Sequence, residues 1–231
     1  MTPPPTPDDR YRAQFRDLIL ALAPTSIVDI GCGSGRLLGS LVDQVPTRIG
    51  VEPAASAREA AAAMATAVHD APAEALPLAS DAVDLAVMTF VPHHCRDWAE
   101  ALKEAMRVAR RGVLVMDQWF DPSLPSQVLA RHYDGWKKAI DRRGGMIHND
   151  AFSAAALAKP LLGYRDVSLS LGSWLHVAVL DPAAVRTEAE AHLAKPSAIP
   201  EDRGELQIML AAMDRIGMTD DGALWMQALK T

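Results

Sequence analysis

Cysteine is nearly missing from this chain: its 231 residues hold two, Cys32 and Cys95. That is too few for a disulfide framework or for clustered zinc-ligand spacing, so no metal is expected. Positive charge is not in excess either. The net charge of −6 disfavours a nucleic-acid partner, whose phosphates reward basic patches. Neither a basic extension nor an Asn/Asp-Pro-Pro-Tyr/Phe motif for an exocyclic amine occurs. No stretch reaches about 18 consecutive apolar residues, and Thr2-Pro3-Pro4-Pro5-Thr6-Pro7-Asp8-Asp9 lacks the basic-then-apolar layout of a signal peptide. The expectation is a cytoplasmic protein with no membrane partner. Internal repeats are absent.

What remains is ordinary globular material, 49% apolar and 23% charged, long enough for one domain with a proper core. Residues 1–9 are Pro-rich and are expected to be disordered. Tyr11, Phe15, Leu18, Ile19 and Leu22 then recur at helical spacing behind Asp8 or Asp9 as a cap, up to Pro24. Strands are predicted near 26–30, 47–51, Val68, 82–88 and 113–117. Helices are predicted near 35–44, along the Ala-rich run 54–66 and from Trp98 to Ala109. Short apolar strands alternating with helices predict a parallel sheet wrapped on both faces. Ligands of such sheets sit beyond the carboxyl ends of the strands, where Asp29, Glu52, Phe90 and Asp117 fall. Beyond 118 come two helical pieces, near 124–140 and 150–160. Val167–Leu171 and Trp174–Leu180 follow, set apart by Gly172-Ser173 as in a hairpin. A late helix carries Leu206, Met209, Leu210, Met213 and Ile216. Gly222–Leu229 is the alternative final strand, which would turn 172–221 into a lid insertion.

The most informative run is Ile27-Val28-Asp29-Ile30-Gly31-Cys32-Gly33-Ser34-Gly35. A buried strand enters a glycine turn and then a helix, the arrangement of a nucleotide-cofactor site. Glycines let a ligand lie against the backbone, and helix-start N–H groups offer hydrogen bonds. A dinucleotide fingerprint would place its third glycine where Arg36 stands. The pattern Asp-x-Gly-x-Gly-x-Gly instead resembles motif I of the class I methyltransferases that use S-adenosylmethionine. Ile49-Gly50-Val51-Glu52, Ala73-Glu74-Ala75-Leu76-Pro77-Leu78, Val83-Asp84-Leu85-Ala86-Val87 and His93-His94 follow in order. They look like the group that includes ubiquinone and menaquinone pathway enzymes. The resemblance covers about residues 25–118.

The resemblance implies a Rossmann-like, seven-stranded, mostly parallel sheet with helices on both faces and an antiparallel last strand. It implies a methyltransferase domain over 10–231, with a cofactor half (25–118) and an acceptor-pocket and sheet-closing half (119–231). S-adenosylmethionine would be held by Asp29 at the methionine amino group, by the backbone of Gly31, Cys32, Gly33 and Gly35, and by Glu52 at the ribose. Ala73 and Glu74 stand in for the Asp that related sequences carry where Pro72 lies here, and Phe90 lies near the sulfonium. His94 or His93 is the candidate base toward a small-molecule acceptor, with S-adenosylhomocysteine as product; a loop-stabilising hydrogen bond is the competing role. Arg10, Tyr11 and Arg12 are candidates for covering the cofactor and pairing with its carboxylate. Trp119, His132, Tyr133, Trp136 and Trp174 are candidates for an acceptor pocket or for plain core. A non-catalytic methyltransferase-like binding or regulatory protein, a nucleic-acid methyltransferase and a nicotinamide oxidoreductase are the alternatives.

Overall fold

A computed structural model of the chain describes residues 6–231. The expected disorder of residues 1–9 lies, for residues 1–5, outside the described residues. Pro7 to Asp9 form the first turn of helix α1 (Pro7–Ala21). Thr6 is its cap, in place of Asp8 or Asp9: the Asp9 N–H donates to Thr6 Oγ1 at 3.2 Å and the Thr6 N–H donates to Asp9 Oδ2 at 2.9 Å. This reciprocal pair satisfies donors that a helix start would otherwise leave free, and Pro7 pre-sets the first helical φ.

The sheet is assembled from β1 (Ser26–Ile30), β2 (Thr47–Val51), β3 (Ala67–His69), β4 (Val83–Thr89), β5 (Ala109–Trp119), β6 (Val167–Trp174) and β7 (Gly222–Lys230). Their order is β3-β2-β1-β4-β5-β7-β6. The first five strands run parallel, and β7 lies antiparallel between β5 and β6. Intervening helices are α2 (Arg36–Ser40), α3 (Ala55–Ala61), α4 (Trp98–Val108), α5 (Pro125–Arg143), α6 (Ala154–Ala158), α7 (Pro182–Leu193) and α8 (Pro200–Ile216).

Side chains alternate across a strand, and the cores follow that period. Val28, Ile30, Ala86, Met88, Val113 and Val115 point to one face and pack with Ala101, Leu102 and Ala105 of α4. Ile27, Leu85, Val87, Leu114 and Met116 point to the other and pack with Tyr11, Phe15 and Ile19 of α1. Buried on both faces, β1 and β4 are apolar apart from Ser26, Asp29, Asp84 and Thr89. A third cluster joins Leu129, Tyr133 and Trp136 of α5, Val185 and Ala189 of α7, and Leu206, Met209 and Met213 of α8.

The second half departs from expectation at Gly172. Residues 167–174 form one uninterrupted strand rather than the first arm of a hairpin, and the sheet is closed by β7 after an excursion through 175–221. Gly172 stands directly opposite Trp225. A Cβ at this position would meet the Trp225 indole at 2.4 Å. The glycine makes room for an aromatic ring; it does not turn the chain. Helix α7, which the sequence reading did not anticipate, is capped by Asp181, whose Oδ1 accepts the Ala183 N–H at 3.1 Å. Gly172→Ala should therefore cost about 1–3 kcal/mol through overpacking. In a Trp225→Leu background the same change should cost less, a coupling that urea unfolding of the four-member cycle reads directly.

Candidate functional site

The site begins at the turn after β1. Gly31, Gly33 and Gly35 all have positive φ, at 69°, 52° and 81°, a region that other residues enter only with strain. The Gly31 and Cys32 N–H groups both donate to Val51 O, at 2.7 and 3.1 Å, and the Gly33 N–H donates to Glu52 Oε2 at 3.0 Å. The turn is thus sewn to the tip of β2. Three of its N–H groups thus go to Val51 and Glu52, and that of Gly35 to Cys32 O at 2.9 Å within the turn. The three glycines also serve three ends. A Cβ on Gly31 would strike Val91 at 2.5 Å, and one on Gly35 would meet the Ala61 backbone at 3.0 Å, so that Gly35 lets α2 pack on α3. At Gly33 a Cβ would meet nothing within 4 Å. That is the open cradle.

Asp29 ends β1 in nearly full burial, 2% exposed, and its Oδ1 has no hydrogen-bond partner. Desolvation, helped by the negative charge of Glu52 and opposed by Arg12, pushes its pKa up to about 8. A buried carboxylate in this condition is incomplete without a cation or a donor. Thr89 Oγ1, at the end of the neighbouring β4, is a second buried polar atom without a partner. It lines a cavity of about 170 Å³ beneath α1 together with Arg12, Phe15 and Arg36. Arg12 is held by Asp8 at 2.9 Å and lies 4.8 Å from the Phe90 ring centroid, a cation–π distance. Phe90 has a positive φ of 59°. Its N–H donates to Met116 O at 2.7 Å. Arg36, the residue that breaks the dinucleotide fingerprint, pairs with Asp8 and Asp9 and ties α1 to the turn. Tyr11 points elsewhere: its hydroxyl donates to Asp221 O at 3.0 Å and accepts the His176 N–H at 2.8 Å.

A second cavity, about 670 Å³ in volume, opens in front of the turn, within the range of small-molecule sites. Gly31, Glu52, Ala73, Glu74, Phe90 and His94 are among its lining residues. Glu52 is pre-aimed, its Oε1 accepting the Ala54 N–H at 2.9 Å while Oε2 holds Gly33. Glu74 does not simply face solvent: its Oε1 accepts the N–H groups of Arg96 and Asp97, at 2.7 and 3.1 Å. Asp70, just past β3, pairs with Arg58 at 2.9 Å. Burial, with Asp29 and Glu52 nearby, pushes the Cys32 thiol up to about 12, so its side chain is inert and its backbone is what it contributes.

The histidine pair stands at the far wall, on the 3-10 turn Pro92–His94 that follows β4. His94 faces the cavity. His93 is buried behind it, its Nδ1 2.5 Å from Asp117 Oδ1 and its N–H donating to Asp117 Oδ2 at 3.0 Å. A carboxylate or carbonyl oxygen only accepts, so Nδ1 carries the hydrogen in His93, and likewise in His94, 3.1 Å from Ile147 O. In both rings Nε2 keeps the free lone pair. Sequence reasoning missed a third ring: His148 stacks against both, with centroids 4.8 Å from His94 and 5.5 Å from His93. The aromatic residues of α5 belong elsewhere. Tyr133 and Trp136 stack on each other inside the α5–α7–α8 cluster, Trp136 Nε1 donating to Asp202 O at 3.1 Å, while His132 is exposed.

One consequence is testable on stability alone. The folded chain retains the Asp29 proton up to about pH 8, whereas an ordinary Asp releases it near 3.8. The stability this group contributes is therefore fully present below 3.8 and drains away as pH rises through 8. Asp29→Asn should raise Tm at pH 8 by at least about 2–4 °C, the shift that 1 kcal/mol produces at this size. The gain should shrink toward pH 4 in a calorimetric pH series.

Comparison with known proteins accords with this geometry. A methyltransferase domain family matches residues 28–116. A malonyl-[acyl-carrier protein] O-methyltransferase from Pseudescherichia vulneris is 31% identical over 163 residues, 68% of this chain and 62% of that protein. An uncharacterized methyltransferase from Mycolicibacterium paratuberculosis is 30% identical over 143 residues, 58% of this chain and 54% of its own length. The chain spans about half the length of the curated relatives it matches. Among solved structures, a cyclopropane-fatty-acyl-phospholipid synthase-like protein from Lactobacillus casei superposes with a TM-score of 0.70 at 17% identity, over 99% of this chain and 96% of that one; it shares the fold. No helix of the described residues is long and apolar enough to cross a membrane. With the strand order and the glycine turn, the match over residues 28–116 shows a methyltransferase domain of the class I, S-adenosylmethionine-dependent type in that part of the chain.

Proposed function

We propose that this chain transfers the methyl group of S-adenosylmethionine to a small-molecule acceptor seated against the His93–His94 wall. The observation that carries the reading is a single cavity running from Gly31 and Glu52 to His94. The residues present fit the cofactor: Asp29 Oδ1 is buried without a partner, and the space at Gly33 is open. When bound, S-adenosylmethionine supplies a methyl already activated by positive sulfur, and the electron pair of the breaking bond stays on sulfur in S-adenosylhomocysteine.

The chain's own tasks are holding, aligning and excluding water. Glu52, anchored through Gly33 and Ala54, keeps lone pairs for two ribose hydroxyls. Asp29 answers an amino group and Arg12 a carboxylate beneath α1, with Thr89 beside it. Ala73 and Glu74 border the adenine end, and Phe90 covers the sulfur side. Gly31, Cys32, Gly33 and Gly35 shape the floor. His94 Nε2 is the lone pair on the cavity wall and receives the proton of a hydroxyl acceptor; His93, locked by Asp117, fixes the wall behind it. Carboxylates and acidic carbons need no such help. The net charge of −6 keeps nucleic acid outside this reading, and cytoplasmic placement goes with it.

Titration with S-adenosylhomocysteine, followed by tryptophan fluorescence, tests the cofactor half. Glu52→Ala should weaken binding by about 1.5–3 kcal/mol, the loss of charge-assisted bonds; unchanged affinity removes Glu52 from the site. Gly33→Ala should fold, at about 1–2 kcal/mol for its left-handed backbone, yet bind at least tenfold more weakly. Transfer of labelled methyl from S-adenosylmethionine into metabolite extracts tests the reaction, and persistent silence despite tight cofactor binding would favour a regulatory protein instead.

A further inference from the structure

His148 is 54 residues from His94 in sequence and has no place in the cofactor half. Two segments bring it to the wall. The Asn149 N–H donates to His93 O at 2.6 Å, and Asn149 Nδ2 donates to Cys95 O at 2.8 Å. The strap at 147–149 is thus fastened to the turn at 92–95. One ring nitrogen from each of His93, His94 and His148 lies within 4.8 Å of the other two. Among the described residues this is the one group of three potential metal ligands so placed.

What surrounds the three rings is as specific as the rings themselves. His93 Nδ1 donates to Asp117, His148 Nδ1 donates to Asp141 Oδ2 at 3.1 Å, and His94 Nδ1 donates to Ile147 O. Every Nδ1 is engaged, and every Nε2 is left without a protein hydrogen-bond partner among the described residues. Two carboxylates and a carbonyl behind three imidazoles are the outer shell that orients metal-binding histidines and makes them more basic. Desolvation, aided by the positive charge of the neighbouring rings and Lys138, lowers the pKa of His94 and His148. A neutral imidazole is the form that ligates.

We propose that His93, His94 and His148 bind one divalent transition-metal ion of the zinc type, through Nε2, at the wall of the 670 Å³ cavity. Asp117 and Asp141 stand behind the rings, and Asp141 also pairs with Lys195. A tetrahedral ion holds nitrogen ligands at about 2.0–2.1 Å, hence about 3.4 Å apart. The ring nitrogens lie within 4.8 Å of one another, so the rings close by up to about 1.4 Å when such an ion binds. Three protein ligands leave a fourth position open, and His94 directs it to the cavity. Resting on the methyl-transfer reading, the site has a chemical use: an acceptor oxygen in that position would lose its proton to solvent more readily. The lone pairs that act as bases in the metal-free chain then act as ligands.

The test uses the full chain, free of any histidine tag and stripped with chelator. Calorimetric titration with zinc chloride should show one equivalent bound, and cobalt should give the visible absorption of a tetrahedral site. His148→Gln should weaken zinc binding at least 100-fold, and Asp141→Asn by 10–100-fold as an outer-shell change. S-adenosylhomocysteine affinity, measured on the same samples, reports that the fold is intact and should stay within twofold. No stoichiometric zinc, or an affinity indifferent to both His148→Gln and His94→Gln, overturns the proposal. Zinc failure with cofactor binding retained leaves the methyl-transfer reading standing. Cofactor failure with zinc retained removes that reading and keeps the metal site.

Discussion

The turn after the first strand is held by the end of the second, and the rest of the site follows from that bond set. Val51 O accepts two N–H groups from Gly31 and Cys32, and Glu52 takes a third from Gly33. So tight a return forces left-handed backbone at three alternate positions, which is why glycine occupies them. The same return keeps Asp29 below the surface of the sheet, where burial strips it of water and raises its proton affinity. It also leaves Glu52 with one oxygen tied on each side and its remaining lone pairs turned outward. A local backbone constraint thereby produces two carboxylates of opposite character a few residues from one another in space: one starved of partners, the other amply supplied.

Much of the fold was legible because burial has a period. The central strands alternate between two cores and are mostly apolar, so their positions show in the sequence, as does the packing face of α1 at Tyr11, Phe15 and Ile19. The closing of the sheet was legible only as one of two alternatives: Gly222–Leu229 lies in the strand that closes it, and the hairpin at Gly172 does not form. Gly172 and Ser173 have the residue types of a hairpin turn, yet the glycine answers to Trp225, a partner more than fifty residues away whose demand for space leaves no local trace. Helix α7 escaped for a related reason: it buries only Val185 and Ala189, too thin a stripe to stand out from an Ala-rich background.

The candidate site divides the same way. Asp29, the glycines and Glu52 declare themselves because their chemistry is written in one short motif whose geometry is local. The finer detail, that Gly35 serves helix packing and Gly33 the open cradle, needs the neighbours Ala61 and Met64. His93 and His94 were visible as a pair, but His148 comes from a loop without helical or strand period. Asp117 and Asp141, which hold two of the three rings, sit on different elements, so no spacing in the chain could have joined them.

The antiparallel strand has an effect on how such a molecule is made. Residues 222–230 must slide between β5 and β6, both of which leave the ribosome earlier. Until they do, two strand edges face solvent with their backbone groups unpaired, the condition in which chains pair wrongly with one another. Loop closure over roughly a hundred residues separates β5 from its eventual neighbour, so this step is slow by topology alone. The sheet is thus completed at an interior position by the last of its strands in chain order.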